Sequence, residues 1–233
     1  MYKEHRALKR IIKLYNIDEV ISDNRYGLWN QKVKSVLITH QIFIQLPKFL
    51  KPLSGFVHWC THALISRFDE CWIPDYADVN KSLAGNLSHG KRLPANARYI
   101  DPLSRFQSYS SDFKTEDIPD VLALISGPEP HRSLFELEVE QRFKNSDQQV
   151  LLVCGKPGLI TKSSTYSNIR KVSHLNTAQL MFFLKNSKKV IARSGYSTIM
   201  DLHVINVVAE LSSTPGQTEQ EYLQEWNTRL NEV

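Results

Sequence analysis

Apolar and polar residues follow one another along this chain in blocks that predict helices and strands in turn. Leu8, Ile11, Ile12 and Tyr15 recur at helical spacing over residues 4–15, with Lys and Arg on the opposite face. Residues 19–22 and 33–39 have the length of strands, and the turn residues 23–27 follow the first. A mostly apolar segment, 42–68, is broken by Pro47 and Pro52 and predicts a helix from Leu53 onward. Residues 70–73 predict a short strand, 80–96 a polar, turn-rich stretch and 98–100 an edge strand. Residues 107–119 are polar with little apolar pattern and predict a linker. Beyond it the pattern predicts a strand at 121–125, a turn at 126–130 and a helix at 131–143 with Leu134, Leu137 and Val139 facing inward. A strand at 150–153 and a helix at 175–184 follow. Two apolar runs close the series, 190–192 and 204–211, each predicted as a strand.

Strands alternating with helices at this spacing indicate βαβ units and a parallel sheet covered on both faces. The expected fold class is therefore α/β. Two domains are expected, residues 1–106 and 120–233, joined by the linker 107–119. In such sheets ligands lie outside the carboxyl ends of the strands.

Composition narrows the picture a little. The chain has 233 residues, 42% of them hydrophobic and 23% charged, as in a globular protein with a sizeable core. Its net charge of +5 suits phosphorylated ligands or an anionic membrane surface, and equally suits plain solubility. No basic run or aromatic-basic alternation suggests a nucleic-acid partner. Cys60, Cys71 and Cys154 are scattered, without metal-ligand spacing, and read as buried free thiols in a reducing compartment. The first residues lack the apolar core of a signal peptide, and no stretch is apolar for long enough to span a bilayer. The expected location is the cytoplasm. The segment 42–56, with Lys48 and Lys51 interspersed, reads either as a membrane-docking surface or as a buried domain helix.

Candidate chemistry gathers at 188–220. Two segments there read as strand, tight turn and helix start, a geometry that turns backbone N–H groups and a positive dipole end toward one spot. Ser194 and Gly195 form the first turn, Ser197 and Thr198 offer hydroxyls at the helix start, and Asp201 offers a carboxylate one turn in. Asp201 suits a ribose diol, because a carboxylate accepts from both hydroxyls. Thr198 and Asp201 also fit a capping box, and that alternative stays open. Glu219 and Gln220 belong to a dense group of hydrogen-bonding residues at the second helix start. Ser126 and Gly127 lie in another strand-to-helix turn, where Arg132 is within reach of a phosphate. His40 closes a strand and is either a general base at a cleft or a structural histidine. Arg105 faces a ligand or is a plain surface residue.

Together these segments resemble the GT-B glycosyltransferases, and family 28 in particular, which includes the transferase adding N-acetylglucosamine in lipid II synthesis. The run from Arg193 to Leu202 resembles the family's donor-binding R-[SA]-G-x-x-T-x-x-E-[LI] motif, with Asp201 in place of Glu. The resemblance implies that Ser197 and Thr198 lie by the nucleotide diphosphate and Asp201 by the ribose. It places Gln220 and Glu219 on sugar hydroxyls. The run Ile125-Ser126-Gly127 resembles the G-G-S loop, with Pro128 at the Ser position. Tyr99 to Arg105 resembles G-N-P-V-R, so Arg105 matches the donor-contacting Arg, and Thr39-His40-Gln41 resembles H-E-Q. The family's first strand and its glycine-rich loop have no counterpart, so the expected fold is two Rossmann-like domains of GT-B type with the amino-terminal one incomplete. The implied reaction moves a hexosyl or N-acetylhexosaminyl group from a nucleotide sugar, UDP-linked, to an acceptor hydroxyl. It needs no metal, because helix ends and Arg105 neutralise the leaving diphosphate, and His40 is the candidate base. Two other readings stand beside it: hydrolysis of the sugar nucleotide, and binding without catalysis. The expected partners are a nucleotide sugar, an acceptor that the sequence does not name and, peripherally, the inner face of a membrane.

Overall fold

The computed structural model describes residues 1–90, 92–158 and 164–231. It divides the chain into two compact units, Met1–Leu103 and Ser104–Val233.

The first unit opens with α1 (Tyr2–Tyr15), closed by Asn16 in the left-handed conformation. The strands β1 (Glu19–Asp23), β2 (Lys34–Ile38), β3 (Glu70–Ile73) and β4 (Ala97–Tyr99) pair in that order, all parallel. Between β2 and β3 a 3-10 turn at Lys48–Leu53 leads into α2 (Ser54–Ile65). Pro52 lies in that turn, so the helix proper begins after it. Ile65 and Phe68 pack with Leu37, Ile42, Cys71 and Ile73 on one face of the sheet. The other face is not fully covered, contrary to expectation. In β1, Val20 and Ser22 are buried while Glu19, Ile21 and Asp23 are exposed. Ion pairs run across the exposed rows, from Lys34 to Glu19 and Glu70 at 3.1 and 3.0 Å and from Arg98 to Glu70 at 3.1 Å.

The segment after β3 reads as polar from its sequence, yet much of it is buried. The fully buried Asp75 carboxylate accepts from the Ser82 and Ser88 hydroxyls, each at 2.6 Å, and from the Leu83 and Ala84 amides at 2.9 and 3.2 Å. One carboxylate thus replaces the ladder that a strand would supply to these backbone groups.

The second unit holds a five-stranded parallel sheet, formed by β5 (Val121–Leu124), β6 (Val150–Val153), β7 (Ile169–Val172), β8 (Lys189–Arg193) and β9 (Glu210–Ser212) in the order β7-β6-β5-β8-β9. Helices α3 (His131–Phe143), α4 (Thr177–Asn186), α5 (Tyr196–Val204) and α6 (Thr218–Asn231) follow β5, β7, β8 and β9. The central strands are buried on both faces, between one core containing Leu122, Leu151, Val190 and Leu202 and another containing Ala123, Ile125, Phe135, Leu152 and Ile191. Residues 107–119 carry no helix or strand, but Phe113 lies against Phe182 and Phe183 of α4, at 5.4 and 6.1 Å between ring centroids. This stretch is therefore packed on the second unit.

Two expectations change, and one strand stands where none was predicted. Leu134 and Leu137 face solvent, 57% and 51% exposed, while Phe135, Val139 and Phe143 form the buried stripe of α3 at four-residue spacing. The apolar run 204–211 is not one strand. Val204 closes α5, Asn206 turns the chain in the left-handed conformation (φ 55°), and only Glu210–Ser212 pairs as β9. The strand β7 has no strong apolar pattern, because it is an edge strand with Arg170 and Lys171 at its centre. All three cysteines are free. Cys71 and Cys154 are buried, which pushes their thiols up to about 12 and about 11, and Cys60 is half-buried.

Phe135→Ala is expected to destabilise the protein by about 3–5 kcal/mol in chemical denaturation, against less than about 1 kcal/mol for Leu134→Ala. Equal losses would show that α3 is turned differently on its sheet.

Candidate functional site

The strand order of the second unit singles out one place. From β5 the chain proceeds outward through β6 to β7, then returns to β8 on the other side of β5 and continues to β9. The connections that leave the carboxyl ends of β5 and β8 run to opposite sides, and in open α/β sheets this reversal is where a ligand crevice is expected. Ser126 and Gly127 leave β5 at this edge, and Ser194 and Gly195 leave β8. Gly127 is exposed at φ 102°, a conformation that favours glycine.

Gly195 is the N-cap of α5, with ordinary extended backbone (φ −75°, ψ 139°), so the turn does not require glycine. Its value is space: a Cβ there would meet no atom within 4 Å. The first backbone bond of α5 joins the Ile199 amide to the Gly195 carbonyl at 3.1 Å. The preceding amides of the first turn have no acceptor inside the helix and point toward the open end. Ser197 is exposed and Thr198 half-buried in that turn.

The capping alternative for Thr198 and Asp201 does not hold, since Thr198 lies inside α5. Asp201 is held elsewhere: its Oδ1 accepts from the Ser104 hydroxyl at 2.6 Å and its Oδ2 from Arg105 Nε at 2.9 Å. The structure thus joins two residues singled out separately in the sequence and adds Ser104, whose bond spans 97 positions and leaves no local signal. The Asp201 side chain is 13% exposed and that of Arg105 55%, so the terminal guanidinium nitrogens remain open to a ligand.

The turn from β9 to α6 lies beside the β8 turn. The Ser194 hydroxyl is fully buried and donates to the Gln220 carbonyl at 2.8 Å, so it ties the two turns together and does not face the crevice. Much of the polar density noted at this helix start serves the turn itself. The side-chain oxygens of Gln220, Glu221 and Gln224 accept from the amides of Thr214, Gly216 and Ser213 at 2.9, 3.1 and 2.8 Å. Gln220 still has its amide NH2 to offer, and Glu219 is half-buried in the first turn of α6. Arg132 reaches Glu129 at 3.1 Å and the Gly155 carbonyl at 3.2 Å, bracing the α3 start. In the first unit, His40 follows β2, half-buried, next to Thr39, whose hydroxyl donates to Asn24 at 3.0 Å. Among the described residues no three His, Cys, Asp or Glu side chains converge on one point.

The sequence matches no family model and no curated protein. Solved structures do match. Staphylococcus aureus MnaA, solved with UDP, superposes with a TM-score of 0.57 over 99% of this chain and 72% of that one, at 12% identity. The glycosyltransferase SnogD of Streptomyces nogalater gives a TM-score of 0.50 over 97% of this chain and 70% of its own, at 11% identity. The fold is of GT-B type. Its second Rossmann-like unit carries the strand-order reversal, and the turns after β8 and β9 lie together beside it. The four described strands of the first unit run in sequence order without a reversal.

Serine is a favoured N-cap residue, and Gly195 has room for it, so Gly195→Ser should leave the melting temperature at or above that of the parent. The added side chain fills the approach to the α5 amides, so binding of an anionic probe, pyrophosphate, measured by calorimetry should weaken about tenfold or more. Unchanged affinity would remove the α5 start from the site.

Proposed function

We propose that this chain is a glycosyltransferase that moves a hexosyl or N-acetylhexosaminyl group from a UDP sugar to an acceptor hydroxyl. One observation carries the proposal: the carboxyl edge between β5 and β8 gathers an open helix start at Gly195, the adjoining α6 start, and the Arg105–Asp201 pair. The presence of UDP on the same fold in MnaA supports the choice of ligand.

In this reading the α5 amides and the Ser197 and Thr198 hydroxyls receive the diphosphate. Asp201 keeps lone pairs beyond those used by Ser104 and Arg105 and accepts from the ribose diol. The loop at Ser126 and Gly127 lies across the crevice, while Gln220 and Glu219 face the sugar. The acceptor oxygen attacks the anomeric carbon as the bond to the diphosphate oxygen breaks, and the acceptor proton passes to a base, for which His40 is proposed. The departing charge is met by fixed dipoles and Arg105, so the proposed chemistry uses no metal. Arg105 exchanges part of its contact with Asp201 for the diphosphate.

Release of UDP from UDP sugars tests the reaction. Release that rises with an added acceptor is the expected result, release independent of acceptor indicates hydrolysis, and tight UDP binding without release indicates a binding module. Asp201→Ala should weaken UDP binding by about 1–3 kcal/mol, and equal binding would refute the ribose assignment.

We also propose peripheral association with the inner face of a membrane, in the reducing compartment suggested by the free thiols. Phe49, Leu53, Phe56 and Trp59 are 80%, 53%, 64% and 67% exposed, at spacings that align them on one side of α2 and the turn before it. Phe56 and Trp59 stack at 6.1 Å, with the exposed Lys51 nearby in sequence. No helix among the described residues is long and apolar enough to cross a membrane. The full chain should sediment with anionic phospholipid vesicles, and Phe56→Ser with Trp59→Ser should abolish this without changing the melting temperature. Failure of the parent to sediment would end the membrane proposal.

A further inference from the structure

Arg193, the last residue of β8, is a buried cation at the strand-order reversal. It is 4% exposed, and its guanidinium carbon lies 3.9 Å from the centroid of the Phe135 ring. Nη1 donates to the Ser213 carbonyl at 2.5 Å and the Ser212 hydroxyl at 3.3 Å, and Nη2 to the His131 carbonyl at 3.4 Å. These partners belong to the end of β9, the turn before α6 and the start of α3, so one guanidinium spans the segments on either side of β8. Nε has no hydrogen-bond partner, and neither has the hydroxyl of Thr214, which is 1% exposed in the same turn.

No carboxylate pairs with Arg193 among the described residues, and Glu138 acts on it only through space. Burial of the guanidinium pushes its pKa below the ordinary value. A guanidinium is nevertheless always charged in a protein. Packing and three neutral acceptors do not cancel that charge, and low-dielectric surroundings screen it weakly. A structural clamp at this point would need donors but no net charge. A fixed charge here favours an anion at the nearby open edge, which begins at Gly195, two residues along the chain.

We infer that Arg193 is a positioning residue that supplies a fixed positive charge to the diphosphate-binding edge while its fork holds the flanking loops in place. The inference rests on the reading of this edge as a nucleoside diphosphate site and adds to it a residue that never touches the ligand. The ligand class that it favours is the polyanionic diphosphate over the uncharged nucleoside.

The test compares UDP with uridine on the full chain, with parent, Arg193→Met and Arg193→Lys proteins, following thermal melting in parallel. Arg193→Met removes the charge and is expected to lower UDP affinity at least tenfold while changing uridine affinity less than twofold. Arg193→Lys keeps the charge and should hold the UDP-to-uridine preference within threefold of the parent. The preference in the parent should decrease as salt is raised. Equal losses for both ligands in Arg193→Met would reduce Arg193 to a structural clamp and overturn the charge role. So would a tenfold loss of preference in Arg193→Lys, which remains the deciding variant if Arg193→Met does not fold. Parent protein that binds UDP while Arg193→Met binds it equally well removes Arg193 alone. Parent protein that binds no UDP removes the site and this inference together.

Discussion

Two parallel strands, β5 and β8, lie side by side although the chain leaves them for opposite sides of the sheet. The rest of the second unit depends on that pairing. It buries an apolar centre, Leu122 and Ala123 against Val190 and Ile191, in register. It also sends the two following connections to opposite sides at the carboxyl edge. The strand order therefore marks this edge before any side chain is considered. Gly195 then leaves the helix start uncovered, and Ser194, by bonding to the Gln220 carbonyl, brings the neighbouring helix start beside it.

Charge is arranged around this edge in two ways. Arg105 is exposed and paired with the largely buried Asp201, and its solvated guanidinium can exchange part of that contact for a ligand. Arg193 is buried and bonded to carbonyls, so it cannot move toward a ligand. On the proposed diphosphate a mobile cation and a fixed one would act at different ranges. The mobile one makes hydrogen bonds, and the fixed one sets the potential in which those bonds form. The first unit contrasts with this. Its most buried acid, Asp75, is fully engaged with two hydroxyls and two neighbouring-loop amides, which holds the loop after β3 in place.

The element pattern was readable wherever burial imposes a period. The strands Glu70–Ile73 and Val150–Val153 and the helix His131–Phe143 stand at their predicted positions, because a short apolar run or a helical apolar stripe leaves few alternatives. The facing of α3 was not readable. Leu134 and Leu137 are as apolar as Phe135 and Val139, and only the sheet surface beneath the helix selects the aromatic stripe. The edge strand β7 was missed because one of its sides lacks a neighbour, so polar residues are tolerated there.

The candidate site divides along the same line. The sequence alone located the turns that follow β5, β8 and β9, since Gly, Ser and Pro punctuate apolar runs for local steric reasons. It also determined the α/β class, because helical and extended periods alternate along the chain. Tertiary structure alone decided which residues meet. Ser104 reaches Asp201 across 97 positions, Ser194 turns inward to a carbonyl, and Arg193 spans two loops from beneath Phe135. Local pattern records what each segment can bury, whereas the partners of a polar side chain depend on which distant segment the fold sets against it.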